Sequence, residues 1–157
     1  MERIGIGFDS HRFAPGRKLI LGGVEIPFEK GLSGHSDGDA LVHSIIDAIL
    51  GAAHLGNIGR FFPDTDEKFK DVYSIKLLEK TASVISEHKI EIVNIDSVLV
   101  IERPKISPFT DSMEKTIAKA LRISPDFVSV KPKTNEGMGF VGKEEGVAAI
   151  SVVLIKV

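Results

Sequence analysis

The chain has 157 residues, 43% of them apolar and 27% charged, which suits one soluble domain with a single core. Its net charge of −2 gives no bulk electrostatic case for nucleic acid or an anionic membrane, and no apolar run is long enough to cross a bilayer. The absence of cysteine excludes disulfides, thiolate metal sites and cysteine nucleophiles together.

The N-terminal stretch RIGIGFDSHRF alternates. Ile4, Ile6 and Phe8 share one side of a predicted strand; Gly5, Gly7, Asp9 and His11 share the other. The glycines leave room on the Asp9/His11 face for something to approach closely. KLILGGVEIPF reads as a hairpin turned at Gly22-Gly23, followed by a loop, EKGLSGHS. A helix is predicted from about Asp39 to His54, ended by Gly56, with Leu41, Ile45, Ile49 and Ala52 on its apolar side. NIGRFFPDTDEKFKD reads as a loop. A second helix, about Val72 to His88, places Ile75, Leu78, Ala82 and Ile85 at helical spacing. EIVNIDSVLVIERP is a long strand. A third helix begins at Ser107-Pro108, with Ser as cap and Pro in the first turn, and buries Phe109, Met113, Ile117 and Leu121. DFVSVKPKT is a strand, NEGMGFVGKEEG a glycine-rich loop with room for one helical turn, and GVAAISVVLIKV a final, largely buried strand. The order β-β-α-α-β-α-β predicts an α+β fold, a single mixed sheet with helices on one face. No repeat or linker divides the chain, so one domain over residues 1–157 is expected. The N-terminus lacks signal or transit character, and a cytoplasmic protein is expected.

The chemistry concentrates in HSDGDALVH, residues 35–43. At ~100° per residue Asp39, His43, Asp47 and His54 fall within an arc of about 80° on the predicted helix. Asp9 and His11 share a strand face; with His43 they offer two imidazoles and one carboxylate, the donor set of a catalytic zinc with an open position, or of Fe(II) or Mn(II). Singly, each has a plainer reading: a hydrogen-bonded Asp–His pair at a strand end, and a histidine on a helix surface. Asp37 and Asp39 suit helix capping, and Asp47, one turn beyond His43, is a candidate to orient an imidazole. In KPKTNEGMGFVGKEEG, Thr134, Glu136, the glycine amides and Lys143 together suit a phosphate–divalent-cation unit, or alternatively form a solvated hairpin-like connection.

These pieces, in this order, resemble the 2-C-methyl-D-erythritol 2,4-cyclodiphosphate synthase family. The likeness runs through RIGIGFDSHRF, LGGVEIPFEKGLSGHSDGDALVHSIIDAILGAAHLGNIG, FFPDTD, PKI and KTNEGMGFVGKEEG, almost the whole chain. It implies a homotrimer with active sites between subunits. The implied reaction is conversion of 4-diphosphocytidyl-2-C-methyl-D-erythritol 2-phosphate to the cyclic diphosphate and CMP, a phosphorus–oxygen lyase step of the non-mevalonate route. By position it implies Asp9, His11 and His43 as zinc ligands, Glu136 as ligand of a second divalent ion (Mg2+ or Mn2+), and His35 and Thr134 in transition-state stabilisation. Substrate-binding segments would be His35-Ser36, Asn57-Ile58-Gly59 and Phe62-Pro63-Asp64-Thr65-Asp66 for the sugar phosphate. For cytidine they would be Ile101-Glu102-Arg103-Pro104-Lys105-Ile106-Ser107 and Lys133-Thr134-Asn135, with Phe140 and Lys143 near the phosphates. Asn57 stands where the family commonly has Asp, and Lys143 where it commonly has Arg, a point charge in place of a planar fork. Two rival readings are a metal-dependent phosphohydrolase and a non-catalytic metal-containing binding module.

Overall fold

The computed structural model describes residues 1–157. Strand β1 (Glu2–Pro15) pairs antiparallel with β7 (Gly146–Lys156) along most of its length, and its end pairs with the short β4 (Lys30–Leu32). β7 pairs antiparallel with β5 (Glu91–Val100), and β5 runs parallel to β6 (Val128–Lys133). The result is a mixed five-stranded sheet in the order β4-β1-β7-β5-β6. A separate hairpin, β2 (Leu19–Leu21) and β3 (Val24–Ile26), turns at Gly22-Gly23, both with positive φ as a two-residue turn requires.

Helix α1 (Ala40–Ala52) lies on β1 and β7. α2 (Ile58–Phe61) is a single turn. α3 (Ser74–Glu87) packs against α1 and against α4 (Thr110–Leu121), which covers β6. A last turn, α5 (Gly139–Gly142), precedes β7. The fold is thus α+β with a mixed sheet, and the second small sheet, β4 and α2 are additions to the sequence expectation. The third helix begins three residues later than expected, after a 3-10 turn over Ser107–Phe109, and Ser107 does not cap it.

Alternation along β1 leaves open which face points inward, and the packing decides it. On β1 it is the glycine side that is buried, while Ile4, Ile6 and Phe8 are 73%, 70% and 59% exposed. The cause lies in α1. A Cβ on Gly5 would stand 2.0 Å from the Ala48 carbonyl oxygen, and one on Gly7 only 1.9 Å from that of Ser44. What approaches the glycine face is therefore the backbone of α1, through its small residues Ser44, Ala48 and Ala52 at four-residue spacing. α1 is also apolar nearly all round: Val42, Ile46 and Leu50 are as buried as Leu41, Ile45 and Ile49. On the final strand Val147, Ala149, Ser151, Val153 and Ile155 face the helices, whereas Ile150 and Val152 continue the exposed apolar face of Ile4, Ile6 and Phe8.

Several chain reversals use left-handed non-glycine residues: His54, Asp71, Lys89, Arg122, Glu136 and Glu144 all have φ between 51° and 60°.

Candidate metal centre and substrate clefts

Because α1 rests directly on β1, His43 meets Asp9 and His11. Asp9 Oδ2 is 2.9 Å from His11 Nε2 and 3.1 Å from His43 Nδ1, and the two imidazole nitrogens are 3.1 Å apart. All three side chains are largely buried. Three donor atoms so close form one face of a small coordination shell. Bonds of ~2.0–2.1 Å to a tetrahedral ion would place its ligands about 3.3 Å apart, so the spacing needs only a slight opening to accept one.

The protons favour the same conclusion. Ser74 Oγ donates its single hydrogen to Asp37 Oδ1, so its oxygen accepts from His43 Nε2–H at 2.9 Å. Ser36 Oγ lies 3.1 Å from the same nitrogen. With Nε2 carrying the hydrogen, the Nδ1 lone pair of neutral His43 points at the Asp9 carboxylate and His11. Such convergence of lone pairs calls for a cation, either a proton or a metal ion. Burial is the largest single influence and works against charge on both partners, but their hydrogen bonds and the surrounding charges, from Asp9, Asp39 and Asp37 on His43 and from His11 and His43 on Asp9, together outweigh it. His43 is raised above the ordinary imidazole range, and Asp9, held also by His11, is lowered below the usual carboxylate value.

The other ligand-type residues of α1 serve the scaffold. Asp39, not Asp37, caps the helix by accepting from Val42 N, and its two oxygens also accept from Gly22 N and Gly23 N. Burial and the neighbouring Asp37 charge push Asp39 up to about 7. Asp37 accepts from Asp39 N and Ser74 N and supports the Ser74–His43 contact. Asp47 orients no imidazole; its Oδ1 accepts from Ile58 N at 2.7 Å and anchors α2. His54 lies beyond the helix.

His11 and His43 border a cleft of about 450 Å³, with His35, Ser36, Ile58, Gly59, Phe62, Pro63 and Asp64 among its other walls. Arg17 holds its rim by donating to the carbonyls of Gly34 and Ser36, and the His35 ring nitrogen Nε2 lies 3.1 Å from the Asp66 carbonyl. Asn57 Oδ1 caps α2 by accepting from Arg60 N. The carboxylate of Asp66 is turned to Lys68 at 2.8 Å, and Thr65 is exposed. A second cleft, about 340 Å³, is lined by Ile101, Glu102, Pro104 to Ser107 and Pro132 to Thr134. Ile101 and Ile106 are core residues at 2% exposure, so they offer it mainly backbone. Arg103 is turned away from it, in a two-bond pair with Glu144 at 2.8 Å and over the Phe28 ring. Phe140 borders a third, smaller hollow that also includes His11. Glu136 and Lys143 are exposed on the connection between β6 and β7, and Asn135 is tied to the Met138 carbonyl there. The first two clefts share no lining residue. Sequence reasoning did not find Ser74 or Arg17; neither carries a local signal, because each acts on a segment distant in sequence.

A half-buried His2Asp cluster bordering a polar cleft, on an α+β sheet-and-helix scaffold, is a group of side chains that could hold a metal ion. The chain belongs to the YgbB family, whose profile matches residues 2–156. Its relatives include the 2-C-methyl-D-erythritol 2,4-cyclodiphosphate synthases of Caldicellulosiruptor bescii, 58% identical over 99% of both chains, and Pelotomaculum thermopropionicum, 53% identical over 98% of this chain and 94% of that one. Among solved structures, the bifunctional IspDF from Campylobacter jejuni matches with a TM-score of 0.95 and 44% identity over 99% of this chain and 42% of that one. A CDP-bound 2C-methyl-D-erythritol-2,4-cyclodiphosphate synthase matches at 0.89 and 36% identity, over 98% of this chain and all of that one.

Proposed function

We propose that the chain converts 4-diphosphocytidyl-2-C-methyl-D-erythritol 2-phosphate to 2-C-methyl-D-erythritol 2,4-cyclodiphosphate and CMP, in non-mevalonate isoprenoid biosynthesis. The observation that carries this reading is the Asp9–His11–His43 cluster bordering the His35/Ser36 cleft in a chain so similar to known synthases. An oxygen of the 2-phosphate attacks the distal phosphorus of the diphosphate; one P–O bond forms, the bond to CMP breaks, and CMP leaves with the electron pair. No protein nucleophile is required, so residues contribute by positioning and electrostatics. Asp9, His11 and His43 are the residues to hold zinc. Zinc bound there supplies positive charge against the repulsion between the two anionic groups being brought together. Ser74 and Asp37 keep the His43 lone pair turned toward that position. His35 and Thr134 are assigned to stabilising charge on the transferring phosphoryl group, and Ile58 to Gly59 with Phe62 to Asp64 to seating the sugar phosphate. The cleft at Pro104 to Ser107 and Lys133 is assigned to cytidine, and Glu136 to a second cation, Mg2+ or Mn2+.

The active unit is a homotrimer, a cytoplasmic protein of one domain per chain. Support for assembly comes from the exposed apolar sheet face of Ile4, Ile6, Phe8, Ile150 and Val152, far more than single surface residues would explain. It comes also from the separation of the two clefts within one chain, which a neighbouring subunit's cleft would complete.

Phosphorus NMR of the zinc- and Mg2+-loaded protein with the cytidine diphosphate substrate tests the reading. A cyclic diphosphate signal appearing with CMP is expected. Linear phosphates would instead indicate a phosphohydrolase, and an unchanged spectrum from folded, metal-loaded protein a binding module.

A further inference from the structure

The connection that carries Thr134 and Glu136 is shaped from outside itself. The β5–β6 pairing ends where Ile101 N donates to the Lys133 carbonyl at 2.9 Å. One residue further along, a side chain takes over from the backbone. Glu102 Oε2 accepts from Asn135 N at 3.0 Å, and Oε1 from Gly137 N at 3.3 Å. The two amides flank Glu136, which is left-handed at φ 51°. An L-residue in that region is disfavoured and needs its surroundings to hold it there. Convergent N–H groups around a left-handed residue form a concavity that attracts anions. Here an internal carboxylate fills it, through charge-assisted bonds.

We propose that Glu102 is a positioning residue: its carboxylate brackets Glu136 and fixes the direction in which Thr134 and Glu136 are presented, and it does not itself bind cytidine. Glu102 lines the second cleft beside Pro104, Lys105 and Lys133, but both its carboxylate oxygens are engaged with backbone amides, which leaves the polar contacts in the cleft to its neighbours. With both amides bonded to Glu102, the concavity is closed to any other anion. The kinetic consequence rests on the synthase reading; the bracketing does not.

The test uses the full-length, zinc-loaded protein and its Glu102→Ala and Glu102→Gln variants. Amide hydrogen exchange reads Asn135 and Gly137, with Ile101 as internal reference. Steady-state kinetics read kcat and KM, and calorimetry reads the affinity for CDP. In Glu102→Ala, exchange at Asn135 and Gly137 is expected to rise at least about 10-fold relative to Ile101. kcat is expected to fall about 10- to 100-fold, the loss typical of misplaced reacting groups, with KM and CDP affinity changed less than about 3-fold. Glu102→Gln, which keeps one acceptor oxygen, is expected to fall between. Unchanged exchange in Glu102→Ala would overturn the proposal. So would a loss confined to KM and CDP affinity, which would make Glu102 a substrate contact. Wild-type protein that forms no cyclic product would overturn the synthase reading instead, and the exchange comparison would still decide the bracketing.

Discussion

Gly7→Ala is the sharpest test of how the metal cluster is assembled. Gly7 does not use positive φ, so its backbone accepts alanine and the only obstacle is α1. The new Cβ would stand 1.9 Å from the Ser44 carbonyl oxygen and 2.8 Å from Ala48 N. Ordinary contact begins at 3.4 Å, so the helix must lift by about 1.5 Å at Ser44. His43 is the adjacent residue, and metal ligands tolerate displacements of only ~0.2 Å. Overpacking of this kind costs about 1–3 kcal/mol, and a clash with backbone belongs at the upper end. We expect urea unfolding of the metal-free variant to show a loss of about 2–3 kcal/mol. Chelator competition should show zinc affinity reduced more than about 100-fold, beyond the loss from removing a supporting contact alone. Gly5→Ala is the control. Its Cβ would stand 2.0 Å from the Ala48 carbonyl oxygen, a similar clash one turn farther from His43, so it should destabilise comparably and disturb zinc less. A Gly7→Ala protein that binds zinc like wild type would refute the claim that helix-on-strand contact sets the ligand geometry.

Ser74→Ala removes the acceptor for His43 Nε2–H while Ser36 Oγ remains within 3.1 Å; zinc affinity should fall about 10- to 100-fold by chelator competition, and an unchanged value would dismiss Ser74. In metal-free protein the folded state holds protons at His43, raised above 6.5, and at Asp39, raised from 3.8 to about 7, more tightly than the unfolded chain does. Their contribution is present at low pH and lost as pH rises through those folded values. That of Asp9, lowered from 3.8, is present above that value and lost only in stronger acid. The urea midpoint without metal should therefore drop from pH 5.5 to 8, while zinc affinity rises over the same interval as the competing proton leaves His43; a metal-free midpoint that climbs would sink this. Ile6→Glu, on the exposed sheet face, should shift sedimentation from the proposed trimer to monomer and abolish turnover while leaving the zinc site loaded; an assembly unmoved by it would place the interface elsewhere. Glu136→Gln should keep zinc but weaken the response to added Mg2+ or Mn2+, and an unaltered titration would remove Glu136 from the second cation site.

Much of the fold was legible because its local signals are strong. The Gly22-Gly23 turn, the buried stripe Ile75, Leu78, Ala82, Ile85 and the alternation of β1 all stand as read. Which side of β1 faces inward was not legible. Ile4, Ile6 and Phe8 would normally claim the interior, but the opposite glycines admit a helix backbone, and that packing is invisible to periodicity. The D-x-H pair and His43 could be grouped because their residue types share one chemistry. Asp39 and Asp47 have the same chemistry at helical spacing, yet they serve backbone amides at Gly22, Gly23 and Ile58, which only the tertiary path brings near. Ser74 reaches His43 across 31 residues, and a serine at a helix start announces no such role. The short elements β4 and α2 lack the length to show a period at all.

The left-handed residues divide by what the proposed function asks of their side chains. Lys89 and Arg122, exposed just past α3 and α4, make no side-chain hydrogen bond, so glycine or asparagine would suit the same backbone. Glu136 differs through the cation-holding role proposed for its carboxylate. Exchanging it for glycine would relax the turn and erase the carboxylate in a single step, so comfort of the chain and presentation of the charge cannot be improved together. A lineage selected for heat resistance can be expected to recruit glycine at 89 and 122 long before it touches 136.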